Sequence, residues 1–228
     1  MSASALRTSR LRARIVPAKW WLRRQLSRWL FERRLDVDTE GAYSQAQPFG
    51  DANYLWHQPS PWLSLRIGLR GYEITADDVF VDLGSGKGRV VLQAACRYRF
   101  KRVIGVELSP ELNEVARANI EANRDRLKCR EVQLETADLT EYQLPDDVTI
   151  AYFFNSVTGA PFTTLVAALL NSLDRRPRRL TFIYPNPTEH DRIIATGRAR
   201  VLHQYRRNPL RDHPLHVYEL TAAAQAGG

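Results

Sequence analysis

The chain has 228 residues, of which 44% are hydrophobic and 25% are charged, and both values are typical of a globular domain. No run of about 18 apolar residues occurs, which argues against a membrane span, and the N-terminus lacks the uninterrupted apolar stretch of a secretory signal. The two cysteines lack metal-site spacing, which argues against a zinc site. The expected compartment is therefore the reducing cytoplasm.

The net charge of +8 is unevenly distributed. Residues 1–34 hold ten of the 33 basic and one of the 25 acidic residues, so this segment carries +9 and the rest of the chain −1. Pro17–Leu35 has the apolar periodicity of a helix with arginines on its other faces. This basic segment, residues 1–35, could contact nucleic acid, lie on an anionic membrane, act as a transit peptide or simply pack on the domain as a solvated helix.

Residues 36–78 form an irregular, polar and aromatic lead-in that ends in a predicted helix, and residues 221–228 are a predicted flexible tail. Between them, residues 79–220 alternate predicted strands and helices. Strands are predicted at Val79–Val81, Arg102–Val106, Glu131–Leu134, Val148–Phe154, Leu180–Tyr184, Arg200–Tyr205 and His216–Leu220. Helices are predicted at Gly88–Tyr98, from Ser109-Pro110 onward, through Phe162–Leu173 and at Thr188–Thr196.

This alternation predicts an α/β fold with a doubly wound, mostly parallel sheet that is covered by helices on both faces. The last two strands have no helical pattern between them, and we expect them to form an antiparallel hairpin at one edge.

A glycine-rich loop, Asp82–Gly88, lies between the first strand and the first helix, where open α/β sheets bind ligands. Its spacing departs from the dinucleotide fingerprint, because Gly88 comes one residue early and Arg89 stands where that pattern needs glycine. It also departs from the phosphate-binding P-loop, since Lys87 is followed by glycine. A loop that is merely rich in glycine is the remaining alternative.

Two acidic residues follow the next two predicted strands. Glu107 ends the second strand, where its carboxylate can accept hydrogen bonds from both hydroxyls of a ribose. Asp138 lies just past the third strand, where an acceptor can meet an adenine amino group. Taken singly, each acid would equally suit a helix cap or a surface charge. Together with Asp82 they place three acids at three successive strand ends, which favours an adenosyl ligand.

Three stretches carry a family resemblance: VFVDLGSGKGRVVLQAA (79–95), RVIGVELSPELNEVARANI (102–120) and AYFFNSV (151–157). Residues 59–220 resemble the class I, seven-strand S-adenosylmethionine-dependent methyltransferases. The resemblance is greatest to small bacterial members that are distantly similar to the Dot-one-type histone lysine methyltransferases. It implies the strand order 3-2-1-4-5-7-6, an N-terminal helical extension and S-adenosylmethionine as cofactor.

The resemblance also implies the site residues. The methionine part of the cofactor would be lined by Asp82, Gly84, Ser85, Gly86 and Gly88. Glu107 would hold the ribose, Leu108 belongs to the same cofactor site, and Asp138 with Leu139 would flank adenine. The lead-in would cover the cofactor, although His57 stands where the family often has tyrosine. No metal is implied.

Asn155 would face the transferred methyl and is the candidate catalytic residue, although it could instead anchor the strand end. Asn155-Ser156-Val157-Thr158 lacks the two prolines and the aromatic residue typical of base or glutamine methyltransferases. Tyr184–Pro187 is a predicted further wall of the pocket.

We therefore expect methyl transfer to an unidentified acceptor, with a protein lysine or a small molecule favoured. The alternative is a catalytically silent module that contacts nucleic acid or membrane through its basic N-terminus. An NAD-dependent oxidoreductase is disfavoured by the glycine spacing.

Overall fold

The computed structural model describes residues 35, 37, 39, 58–206 and 213–223. Its strands are β1 (Val79–Leu83), β2 (Arg102–Glu107), β3 (Val132–Thr136), β4 (Ile150–Phe153), β5 (Leu180–Pro185), β6 (Ala199–Tyr205) and β7 (Leu215–Leu220). Its helices are α1 (Ser64–Gly68), α2 (Arg89–Arg97), α3 (Pro110–Glu121), α4 (Gly159–Arg175) and α5 (His190–Ile194), with a 3-10 turn at Arg124–Arg126.

The strands form one sheet in the order β3-β2-β1-β4-β5-β7-β6. The first five strands are parallel, and β1 lies between β2 and β4 with Asp82 paired to Gly105 on one side and to Tyr152 on the other. Strand β7 is antiparallel to both β5 and β6, and the β6–β7 pair carries a bulge between Val201 and His203. The predicted fold class, strand order and antiparallel edge are therefore confirmed.

The hydrophobic core lies on both faces of the sheet. On one face, Val79, Val81 and Leu83 of β1 pack in a cluster with the buried side of α4. On the other face, Phe80 packs with apolar residues of α1 and α2. Because a parallel sheet is buried on both sides, β1 reads as a continuous apolar run, and Asp82 is the buried polar exception within it.

Helix α3 begins with the predicted serine cap and first-turn proline. Ser109 Oγ accepts the backbone N–H of Leu112 at 3.2 Å, and Pro110 is the first helical residue. We expect Ser109→Ala to lower the free energy of unfolding by about 1 kcal/mol, because one helix N–H loses its acceptor. Urea denaturation measures this change. The control Thr164→Ala removes an exposed hydroxyl within α4 and should cause no loss.

Some predicted boundaries differ from those observed. Strand β4 begins at Ile150 rather than Val148, because the Val148 N–H donates to the carbonyl of Pro145 in a turn. Helix α5 covers only His190–Ile194, since Thr188 and Glu189 belong to the turn that enters it. The N-terminal helix apart from residue 35, just under half of the lead-in and most of the tail lie outside the described residues. In the part of the chain that the structure describes, no helix is long and apolar enough to cross a membrane.

Candidate functional site

The glycine-rich loop between β1 and α2 requires glycine at three positions. Gly84, Gly86 and Gly88 have φ angles of 85°, 54° and 76°, and residues other than glycine rarely adopt this left-handed backbone conformation. A Cβ on Gly84 would lie 1.7 Å from Ser156 Oγ, and one on Gly88 would lie 2.9 Å from Ala116 Cβ. The glycines thus allow both the tight turn and the close approach of β4 and α3.

The loop is fastened to β2. The backbone N–H groups of Gly84 and Ser85 both donate to the Val106 carbonyl at 2.9 Å. The N–H of Gly86 donates to Glu107 Oε2 at 2.8 Å, and the N–H of Ser109 donates to Glu107 Oε1 at 3.0 Å. Each Glu107 oxygen therefore accepts a backbone N–H, and a carboxylate oxygen can accept more than one hydrogen bond.

Two buried carboxylates, Asp82 and Glu107, lie near enough to each other to interact electrostatically. Asp82 is 3% exposed and Glu107 is 9% exposed. Burial raises the pKa of Asp82 well above its usual range, and the nearby Glu107 raises it further. Burial also raises the pKa of Glu107, although its backbone donors partly offset the effect. Among the described residues, no hydrogen bond reaches the Asp82 carboxylate, so this pair favours a cationic or hydrogen-donating ligand.

An open cleft lies beside Asp82 and the loop. It is lined by Thr39, Gln58, Pro59, Ser60, Asp82, Gly84, Ser85, Lys87, Arg89, Val90 and Phe154. Three of the predicted site residues, Asp82, Gly84 and Ser85, thus share this cleft. Gly86, Gly88 and Glu107 are not among the lining residues. Gly86 and Gly88 belong to the same loop, and Glu107 accepts a hydrogen bond from the Gly86 N–H.

The predicted adenine-flanking residues lie beyond β3, outside the lining of this cleft. The carboxylate of Asp138 accepts the backbone N–H and the hydroxyl of Thr140 at 2.8 and 2.7 Å, in a local turn. Leu139 is buried in the core cluster on the α4 face. Leu108 is half-buried directly after β2. Leu108 therefore follows the carboxyl end of β2, and Asp138 and Leu139 follow that of β3. In this parallel part of the sheet, the same end of β1 leads into the glycine-rich loop.

Two asparagines follow the ends of neighbouring parallel strands with left-handed backbones. Asn155 after β4 has φ 49°, and Asn186 after β5 has φ 53°. Strained non-glycine residues of this kind cluster at functional sites. Asn155 Oδ1 is buried and has no hydrogen-bond partner among the described residues. The amide oxygen thus has hydrogen-bonding capacity that no described residue uses, although Asn155 is not among the residues that line the cleft.

The predicted wall at Tyr184–Pro187 is wrong for its first residue. Tyr184 is fully buried, and its ring stacks on Phe162 at 5.6 Å and meets Phe153 edge-on at 5.1 Å. Its position in β5 directs the side chain into the core beneath α4. Asn186 and Pro187 follow the end of β5 and are half-buried.

Several cleft residues are not among the predicted site residues, although the lead-in as a whole is predicted to cover the cofactor. Arg89 follows the loop, and Gln58 and Ser60 come from the lead-in. Phe154 lines the cleft, and its ring centroid lies 5.7 Å from that of His213 on the β6–β7 connection. No local sequence signal marks these residues, because only folding brings them to the loop.

Comparison with known proteins agrees with this geometry. A family model described as histone methylation protein DOT1 matches residues 65–151, which include the loop, β2 and the start of β4. A protein-lysine N-methyltransferase of Saccharolobus islandicus (strain REY15A) is 38% identical to this chain over 65 residues. That match covers 28% of this chain and 40% of the relative.

Solved structures share the fold at low sequence identity. An RNA methyltransferase from Salinibacter ruber, in complex with S-adenosyl-L-homocysteine, has a TM-score of 0.52 and 19% identity over 75% of this chain and 98% of its own. A precorrin 8W decarboxylase from Methanobacterium thermoautotrophicum has a TM-score of 0.52 and 19% identity over 73% and 93%. The fold alone therefore leaves the reaction open.

The seven-strand order, the glycine loop and the family match confirm the resemblance: this chain has the fold of the class I S-adenosylmethionine-dependent methyltransferases, with a DOT1-type sequence match over residues 65–151.

Proposed function

We propose that the chain binds S-adenosylmethionine in the cleft over Asp82 and transfers its methyl group to an acceptor. The observation that carries this proposal is the buried pair Asp82–Glu107 beside a loop with three left-handed glycines. The Asp82 carboxylate, which accepts no hydrogen bond from the described residues, suits the ammonium group of the cofactor, and the two Glu107 oxygens suit its ribose hydroxyls. Ser85 Oγ is a further buried polar atom with no partner in the described part of the chain.

The cofactor, when bound, supplies an electrophilic methyl group on a sulfonium. The residues of this chain would then hold the acceptor in line and exclude water, which can lower a barrier by roughly 7–11 kcal/mol without a dedicated base. Gln58, Pro59 and Ser60 contribute a wall of the cleft from outside the loop, and this wall would help to exclude water.

A nitrogen of a protein lysine is the acceptor we favour, and a small molecule is the second candidate. The lysine assignment is supported by the DOT1-type match and by the relative from Saccharolobus islandicus. It is also supported by Asn155, because an amide oxygen accepts hydrogen bonds and thus suits an acceptor that carries N–H groups. Asn155 is the proposed catalytic residue, and Asp138 and Leu139 remain the proposed adenine contacts.

Two measurements test the proposal. Calorimetric titration of the full chain with S-adenosylmethionine should show one binding site, and the absence of heat would contradict cofactor binding. Transfer of a labelled methyl group to fractionated cell lysate should label protein, and alkali-stable label on lysine identifies the acceptor. Label confined to small molecules would favour the second candidate, and binding without transfer would favour the silent module.

We expect Asn155→Ala to lower kcat by about 100-fold while cofactor affinity changes less than about threefold, because the amide oxygen is proposed to meet the acceptor. Single-turnover transfer and titration with S-adenosylhomocysteine separate the two effects. Asn186→Ala is the matched control, since it removes a left-handed asparagine from the neighbouring strand end. An equal loss of transfer in both variants would assign Asn155 to backbone anchoring instead.

The basic segment, residues 1–35, is proposed to bind an anionic partner, namely nucleic acid or a membrane surface, through its net positive charge. Removing these residues should abolish retention on such a partner and leave cofactor binding unchanged. Retention that survives the deletion, or that does not weaken with salt, would contradict this assignment.

A further inference from the structure

Arg89 is the residue that joins the loop to the lead-in. It is the first residue of α2, directly after Gly88, and it lines the cleft. Its side chain is only 5% exposed, which is unusual for arginine and shows that the guanidinium is held by surrounding groups. The family resemblance assigns no role to this position.

Within the described part of the lead-in, the guanidinium contacts residues at three positions. Its Nε donates to Thr39 Oγ1 at 2.8 Å, and its Nη1 donates to the carbonyl of Ser60 at 2.8 Å. Its Cζ lies 4.8 Å from the centroid of the Trp62 ring, in a cation–π arrangement. A planar fork with several donors is needed to make these contacts together, and lysine lacks it.

Ser60 is also fixed from beneath. Its Oγ lies 2.8 Å from the hydroxyl of Tyr152, a fully buried side chain on β4. Tyr152 is the register partner of Asp82 in the sheet. The Ser60 carbonyl is therefore bound to Arg89, and the Ser60 hydroxyl is bound to Tyr152, which lies beside Asp82 in the sheet. These two hydrogen bonds fix Ser60, and they thereby fix the wall of the cleft that Gln58, Pro59 and Ser60 form.

We infer that Arg89 is a positioning residue for the cofactor, acting through Thr39, Ser60 and Trp62 to hold the outer wall of the cleft closed over the bound molecule. The inference rests on the proposed function. Its consequence is that loss of the guanidinium fork weakens cofactor binding, whereas the chemistry at the acceptor end, beyond β4, changes little once the cofactor is saturating.

The test uses the full chain and S-adenosylhomocysteine as the probe. We expect Arg89→Gln to raise the Kd of the probe by about 10–100-fold, the equivalent of losing one or two charge-assisted hydrogen bonds. Arg89→Lys keeps the cation over Trp62 and should raise the Kd by about 3–10-fold. Labelled-methyl transfer should show a raised KM for the cofactor with kcat within about threefold of wild type.

Arg97→Gln is the matched control, because Arg97 is an exposed arginine in the last turn of the same helix and should leave the Kd unchanged. The thermal midpoint of each unliganded variant is measured in parallel. A lower midpoint with an unchanged Kd for the folded protein would show a purely structural role and overturn the inference. If Arg89→Gln does not fold, the Kd of Arg89→Lys for the probe becomes the deciding measurement. A wild-type Kd in Arg89→Lys would then overturn the inference. A wild type that does not bind the probe would instead contradict the proposed function.

Discussion

Gly84→Ala should abolish measurable cofactor binding, with a loss of at least about 100-fold in affinity. The added methyl would overlap Ser156, since the Cβ position lies 1.7 Å from its Oγ and 2.5 Å from its Cβ. The backbone at φ 85° adds about 1 kcal/mol of strain for alanine. Relief requires the loop to move away from β4, which would carry the loop N–H groups off Val106 and Glu107. Titration with S-adenosylmethionine and thermal unfolding measure the two effects.

Two further variants separate strain from overlap. Gly197→Ala has the same kind of backbone, with φ 67°, but nothing lies within 4 Å of its added Cβ. It should therefore lose about 1 kcal/mol of stability and keep cofactor affinity. In the background of Gly84→Ala, Ser156→Gly removes both overlapping atoms and should recover part of the binding. Wild-type affinity in Gly84→Ala alone would show that the loop does not need its observed backbone.

Asp82→Asn should raise the stability of the unliganded protein and lower its affinity for cofactor. Removing a buried charge beside Glu107 should raise the free energy of unfolding near neutral pH by about 1–3 kcal/mol, or about 2–12 °C in Tm. The same change removes the carboxylate proposed to meet the ammonium group. We expect a loss of about 10–100-fold in affinity from that missing charge-assisted bond.

The pH dependence follows from the direction of the pKa shift. The pKa of Asp82 in the folded protein is raised above its usual value of 3.8. The stability that the protonated side chain contributes is therefore fully present below pH 3.8, and it is lost as the pH rises through the folded pKa. The unliganded wild type should thus lose stability over this range, and Asp82→Asn should lose less. Affinity for the cationic cofactor should increase over the same range, because binding favours the ionised carboxylate. A flat affinity profile in wild type would contradict the role of Asp82.

Asp78→Asn provides a control at the opposite end of β1. Asp78 is also buried, but its carboxylate accepts hydrogen bonds from the Thr75 backbone and from the hydroxyls of Thr75 and Thr149. We therefore expect this substitution to destabilise the fold by about 1–2 kcal/mol and to leave cofactor affinity intact. The two substitutions should change stability in opposite directions. This comparison tests whether the hydrogen-bond partners of a buried carboxylate determine how its replacement by an amide changes stability.

The sequence by itself determined the fold class, the strand order through the family resemblance, and the glycine loop between β1 and α2. These features depend on local patterns: apolar runs that suit strands buried on both faces, a serine–proline helix start, and glycines spaced for a left-handed turn. Leu180–Tyr184 shows the limit of such patterns. Its apolar run predicts a strand correctly, but the register that directs Tyr184 into the core is decided by packing against Phe153 and Phe162.

Only the tertiary structure decided which side chains share the cleft. Arg89 appears in the sequence as the residue that breaks a dinucleotide pattern, and its partners Thr39 and Ser60 are 50 and 29 positions away. The raised pKa of Asp82 likewise comes first from its burial in the folded sheet and then from Glu107 on the neighbouring strand. Charge and hydrogen-bond partners at such separations depend on how the strands and the lead-in pack, and a local pattern of residues contains no distance between them.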